Sequence, residues 1–297
     1  MKIKTFIISA INLFISLYLI IGYHSLKHID KNRIDVSKYI TLVDEVSENK
    51  VQVNWKYVVS IIAVENKNKI KNISDDKIKN TANLFIEKSD NGYKLNSLDN
   101  VLNKLNFTDK EKQRVNDYIE QLKYFGLTPH RLKEDSKYTK FIEEIKDEAI
   151  KNYKEYKILP SITIAQAILE SSWGESDLAQ IYNNLFGIKA DSSWKGESVL
   201  LETFEFYDTK IEDKFRVYSN KNQSIKDHAK FLVDNQRYKK YGVFEAKTYI
   251  EQAYALQNAG YSTAEDNSGQ KRYAKDLIEI IRQYNLQLID SEIKISD

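Results

Sequence analysis

The sequence predicts a mainly α-helical protein with a small β-hairpin lobe, arranged as an N-terminal apolar segment, a small helical domain and a larger helical domain. Three observations carry this expectation. Apolar residues recur at helical spacing along most of the chain, strand-like alternation is confined to about residues 197–219, and one charge-free apolar run stands at the N-terminus. With 297 residues, 42% of them hydrophobic, the chain can fill two modest cores beyond any targeting segment.

Taken in order, Lys2 and Lys4 precede an apolar run from Phe6 to Ile21, interrupted only by Ser9, Asn12 and Ser16. At about 1.5 Å rise per residue such a run reaches about 26 Å, the short end of a bilayer span. Its exit, Gly22-Tyr23-His24-Ser25-Leu26-Lys27, has no small-x-small cleavage site. Residues 1–29 are therefore read as an uncleaved signal anchor, with a cleaved signal as the alternative; either way the remainder is exported. Residues 30–135 read as an accessory, all-helical domain, with Trp55, Val58, Val59, Ile62 and Ala63 on one face and Val101, Leu102 and Leu105 on another. Thr108-Asp109-Lys110-Glu111 fits a capping box. The helix it opens carries Val115, Tyr118, Ile119, Leu122 and Phe125 before Gly126 and Pro129 close it and mark a domain border.

Residues 136–297 form the larger domain. A first helix presents Phe141, Ile142, Ile145, Ala149, Ile150 and Tyr153; a second starts near Pro160 and buries Ile164, Ala167, Ile168 and Ser171. Alternation in Val199–Phe206 and Phe215–Tyr218 predicts a β-hairpin inserted among helices. Helical spacing resumes with Ile225, His228, Ala229 and Leu232. It continues through Tyr249–Ala259, closed by Gly260, and Tyr273–Tyr284, with Leu277, Ile278 and Ile281 inward.

Composition excludes several chemistries. Lys+Arg number 45 against 43 Asp+Glu, a net charge of +2 with both signs interleaved, so there is no electrostatic footprint for nucleic acid. Without cysteine there are no disulfides, thiolate metal sites or cysteine nucleophiles. The four histidines form no His-Glu-x-x-His array, and neither a phosphate loop nor a nucleophilic serine elbow is present, so no metal or cofactor is expected.

The segment Ile162–Ser176 places Glu170 at the end of an almost wholly apolar helix, directly before a Ser-Ser-Trp-Gly break. A partly desolvated carboxyl there gains a raised pKa and can act as a general acid toward a glycosidic oxygen. Glycosidases commonly add a second carboxylate. Strand alternation puts Glu202 and Glu205 on opposite faces of the hairpin, so only one of them can face a given cleft, and periodicity does not choose between them.

Four ordered motifs, Gln166-Ala-Ile-Leu-Glu-Ser-Ser-Trp-Gly174, Asn184-Leu-Phe-Gly-Ile-Lys189, Thr203-Phe-Glu-Phe206 and Ala259-Gly-Tyr-Ser-Thr263, resemble glycoside hydrolase family 73 across roughly residues 137–290. This is the endo-β-N-acetylglucosaminidase domain of bacterial autolysins and flagellar peptidoglycan hydrolases. The resemblance implies a lysozyme-like fold and cleavage of the β-1,4 bond on the reducing side of N-acetylglucosamine in peptidoglycan strands, with Glu170 as acid and Glu205 as second carboxylate. It also implies that the Tyr261 phenol bonds the sugar or stabilises developing charge. Asn184 and Phe186 are candidates to shape a sugar subsite, and Trp173 and Trp194 to stack on pyranose faces. The family's Asp-Pro-x-Tyr-Ala stretch is replaced by the longer, proline-free Ala264–Ala274, whose Tyr273 is a further candidate contact. His228 reads as capping and packing, and Glu65, which echoes the same helix-then-Glu layout, as non-catalytic. Residues 30–135 are left as a spacer or a module for the wall or a protein partner. A lytic transglycosylase and a non-catalytic wall-binding scaffold are the rival functions.

Overall fold

The computed structural model describes residues 26–90, 92–205 and 209–293, with side chains described throughout except at 203–205 and 209–211. The segment Phe6–Ile21, expected as an anchor, lies outside the described residues; no helix among those described is long and apolar enough to cross a membrane. The chain divides into two compact units. The first runs to residue 125 without 47–52 and 90–94; the second takes those two short segments and everything from 126 onward.

In the first unit, α1 (Val36–Ser47), α2 (Trp55–Glu65), α3 (Asp75–Asn83), α4 (Leu98–Lys104) and α5 (Asp109–Gln121) follow one another. Helix α2 is apolar on nearly every side and buries Trp55 through Val64 except Tyr57, so it forms the centre, with α3 and α5 packed on it. Lys56 is buried there because its Nζ donates to the Lys123 carbonyl at 2.8 Å. The expected capping box is present: Glu111 N donates to Thr108 Oγ1, and Thr108 N to Glu111 Oε2. The all-helical expectation needs one correction. Strands β1 (Ile86–Ser89) and β2 (Gly92–Leu95), the latter mostly in the short segment 90–94, pair in a two-stranded sheet, and Gly92 takes a φ of +119° that side chains rarely adopt.

The second unit holds α6 (Lys137–Tyr156), α7 (Pro160–Ser171), α8 (Asp177–Tyr182), the hairpin β3 (Ser198–Glu205) and β4 (Thr209–Arg216), then α9 (Lys221–Asp234), α10 (Gln236–Lys240), α11 (Tyr249–Asn258), α12 (Tyr273–Gln283) and α13 (Gln287–Glu292). Residues 126–135, counted with the accessory domain from the sequence, belong to this unit, so the division falls at Gly126: Thr128 Oγ1 donates to the Gln283 carbonyl and Arg131 to the Tyr284 hydroxyl. Helix α7 is the centre. Pro160 through Ile168 are all buried, with α6, α11, α12 and α13 around it. An apolar helix covered on all sides needs its end groups satisfied from elsewhere. Leu159 gives no side-chain cap, and Asp290 of α13 supplies one by accepting from Ser161 N at 3.0 Å and from Ser161 Oγ.

The hairpin pairs antiparallel from Ser198↔Arg216 to Glu205↔Thr209; its first strand falls where the alternation predicts, whereas the second begins in the polar stretch at Thr209 and ends at Arg216 instead of spanning Phe215–Tyr218. Its base is fixed to the helices. Arg216 donates to Asp227 of α9 at 2.8 Å and to the Lys189 carbonyl, and Tyr218 donates to the same aspartate at 2.7 Å.

Candidate active site

The site is built where α7 stops. Ser172, Trp173 and Gly174 take positive φ of 51°, 67° and 71°, so the chain leaves the helix within one turn after Glu170. A Cβ on Gly174 would stand 2.7 Å from the Phe141 ring, which makes glycine a requirement at this close approach. Glu170 thus projects from the last turn of a buried helix. It reaches solvent, yet enough protein lies around its carboxyl for desolvation to raise its pKa above the ordinary carboxylate value. The Tyr273 hydroxyl donates to Glu170 Oε1 at 3.3 Å and works in the opposite direction by favouring the ionised form.

Tyr273 reaches this position although its approach lacks the proline of the resembled motif. Residues 264–272 close on themselves: Asp266 accepts from Ser268 N and Gln270 N, and Arg272 N donates to the Ala264 carbonyl. Helix α12 then starts at Tyr273 itself, and Gln257 of α11 accepts from Ala274 N in its first turn. The phenol is buried, and Gln166 Nε2 donates to its oxygen at 2.9 Å. Tyr261 stacks on Tyr273 with ring centroids 5.2 Å apart at 20°, and its hydroxyl lies 3.1 Å from His228 Nε2. Burial pushes both phenols well above their ordinary pKa and pulls His228 down to about 3, so all three are neutral around the carboxyl.

Of the expected site residues, Glu170, Tyr261 and Tyr273 come together. Asn184 and Phe186 are both buried. Asn184 is buried, its amide donates to the carbonyls of Ile188 and Arg216, and its oxygen accepts from Ile188 N, so it ties the Asn-Leu-Phe-Gly turn to the hairpin base. Phe186 is buried against His228, stacked at 3.9 Å and 11°, and supports the tyrosine cluster from behind. Trp173 is half-buried in a ring cluster with Tyr138, Phe141 and Tyr284. Trp194 lies over the Arg216 guanidinium at 4.5 Å, with Nε1 donating to the Glu197 carbonyl. Glu205 holds its strand position opposite Thr209, and its side chain is not among those described; Glu202 on the same strand is exposed. Glu65 pairs with Lys77 at 2.8 Å in the first unit.

Sequence reasoning assigned no role to Gln166 and none to the His228–Tyr261 contact. Gln166 carried a signal: it is a long polar side chain in an apolar run, four residues before Glu170 and hence on the same helix face. The contact of His228 with Tyr261 joins residues 33 apart and left no local pattern to read.

A solvent-reaching carboxyl with a raised pKa, backed by neutral phenols at the end of an apolar helix, is the site of a glycoside hydrolase. Residues 146–286 match the glucosaminidase family model, described as mannosyl-glycoprotein endo-beta-N-acetylglucosaminidase, and the chain belongs to that family. It is 44% identical over 156 residues to the exo-glucosaminidase LytG of Bacillus subtilis (strain 168), covering 50% of this chain and 52% of that protein. It is 42% identical over 104 residues to the peptidoglycan hydrolase FlgJ of Vibrio parahaemolyticus, covering 33% of this chain and 34% of that one. The chain thus spans about half of one curated relative and about a third of the other. Among solved structures, the catalytic domain of the autolysin Auto from Listeria monocytogenes is 32% identical, covering 62% of this chain and 98% of that one, with a TM-score of 0.45.

Proposed function

We propose that this chain hydrolyses peptidoglycan at the β-1,4 bond on the reducing side of N-acetylglucosamine, with Glu170 as the general acid. One observation carries the reading: a carboxyl open to solvent whose pKa is nonetheless raised by desolvation, held by the Tyr273 hydroxyl at 3.3 Å. Such a group holds its proton to higher pH than an ordinary glutamate and delivers it to the glycosidic oxygen as the C–O bond breaks. The positive charge that develops at the anomeric centre is met by a carboxylate or by the substrate's own N-acetyl group, and water then completes hydrolysis. Glu205 takes the second-carboxylate role on the strength of its motif, and Tyr261 lies beside Tyr273 where its phenol can bond the sugar.

The wall substrate is supported by the relatives' names, a peptidoglycan hydrolase and an exo-glucosaminidase. The N-terminal apolar run supports export, with residues 1–29 holding a lysozyme-like catalytic domain outside the membrane and residues 30–135 acting as an accessory module for the wall or a protein partner.

The test is mass spectrometry of borohydride-reduced glycan fragments released from purified peptidoglycan by the detergent-solubilised full chain, beside Glu170→Gln. Fragments ending in N-acetylglucosaminitol, lost in the variant, are expected. Muramitol ends would move the cut to the other glycosidic bond, anhydro ends would make the enzyme a lytic transglycosylase, and an unreactive chain would bring forward the wall-binding scaffold.

A further inference from the structure

Gln166 lies one helical turn before Glu170 and is fully buried among Ile164, Ala165, Ala167 and Ile168. A buried amide with an unpaired group costs about 1–3 kcal/mol, so its orientation follows from what it can bond. Its Nε2 donates to the Tyr273 oxygen at 2.9 Å, while its Oε1 has no partner among the described residues. The reverse orientation would bury an unpaired NH2 group, which is the less tolerated orphan. It would also draw the Tyr273 proton onto Gln166 and leave a bare phenol oxygen facing the Glu170 carboxylate. As built, the phenol oxygen is occupied as an acceptor and its proton is directed to Glu170 Oε1.

We infer that Gln166 is a positioning residue for the acid: by donating to Tyr273 it keeps that phenol a donor to Glu170, and so sets how tightly Glu170 holds its proton. The inference rests on the reading of Glu170 as proton donor. The donated hydrogen bond stabilises the carboxylate and opposes the desolvation that stabilises the acid form, and desolvation is the larger of the two. The ionisable groups on the other elements here are Tyr261, stacked on Tyr273, and behind it His228 of α9 and Arg237 and Tyr238 of α10.

The test is the pH dependence of kcat/KM on soluble peptidoglycan fragments, measured for the full chain, Gln166→Met, Tyr273→Phe and the double variant. Each single substitution is expected to move the alkaline limb upward by about half a pH unit or more, and the double variant to move it no further than Tyr273→Phe alone. A Gln166→Met enzyme that loses the same factor at every pH with its limb unmoved, or shifts that add in the double variant, would overturn the inference. If Gln166→Met does not fold by circular dichroism, Gln166→Asn, whose shorter amide does not reach Tyr273, replaces it with the same outcomes. Glu170→Gln is run alongside: full activity there removes the general-acid reading itself, a result distinct from an unmoved limb in an enzyme that Glu170→Gln has silenced.

Discussion

Glu170 gathers opposing influences on a single proton. Burial of its surroundings favours the acid and the Tyr273 hydroxyl favours the carboxylate, with burial the larger cause. A general acid works only while protonated, so kcat/KM is expected to fall on the alkaline side through a pKa above the ordinary glutamate value of 4.5, and Glu170→Gln to lose at least ~100-fold in kcat while melting at the wild-type temperature. A pH–rate profile beside a thermal melt checks both, and a fully active Glu170→Gln would reject the assignment. Three residues past the helix, Gly174 answers to a different constraint. Its φ of +71° and the 2.7 Å approach of Phe141 to any Cβ predict that Gly174→Ala destabilises by about 1–3 kcal/mol, read from chemical denaturation. Because the distortion falls next to Glu170, activity should drop at temperatures where the variant is still folded.

Among the elements, the hairpin depends on its base. Asn184 joins the turn after α8 to the end of β4 through the backbone of Ile188 and Arg216, and the Arg216–Asp227 pair ties the same base to α9. Asn184→Ala would leave the Ile188 N–H and the Arg216 carbonyl without that partner, costing about 2–4 kcal/mol. Hydrogen exchange should then rise in β4 before it rises in α7. Equal exchange in both would show that the base and the central helix open together. The neighbouring Gly187 makes a contrast. Its φ is +63° but its Cβ position is open, so Gly187→Ala is expected to cost only about 1 kcal/mol, the backbone strain alone.

Across the molecule's second unit, two buried ionisable groups on different helices act oppositely on stability. Asp290 is pushed up to about 7 by burial, against an ordinary value of 3.8. Folded protein therefore holds a proton that the unfolded chain has released, and this contribution is lost as pH rises through about 7. His228 is pulled down to about 3 from 6.5, so the unfolded chain binds a proton the folded state excludes, and stability is lost as pH falls below about 6.5. Between about pH 4 and 6.5 the two slopes, each up to about 1.4 kcal/mol per pH unit, cancel. Relative to wild type, Asp290→Asn should therefore become more stable as pH rises across that window, and His228→Gln less stable. Urea melts at pH 4.5 and 6.5 decide it; two variants changing in the same direction would refute the pairing.

Much of this was legible in the sequence because it depends on neighbours along the chain. Helix periodicity, the Thr108–Glu111 cap, the glycine after the Glu170 helix and the alternation of the hairpin's first strand are each legible within a few residues, and the structure realises them. Glu170 was legible for the same reason, since a lone carboxylate ending an apolar helix is visible in local pattern. What only the tertiary structure decided are contacts between distant segments. The Gln166–Tyr273–Glu170 bonds span about a hundred residues, Asp290 caps a helix 129 residues away, and Asn184 and Phe186 turned inward because the hairpin base and His228 closed over them. The sequence supplied the candidate groups, whereas packing determined which of them meet, since a hydrogen bond between remote residues is specified only once the chain has folded them into reach.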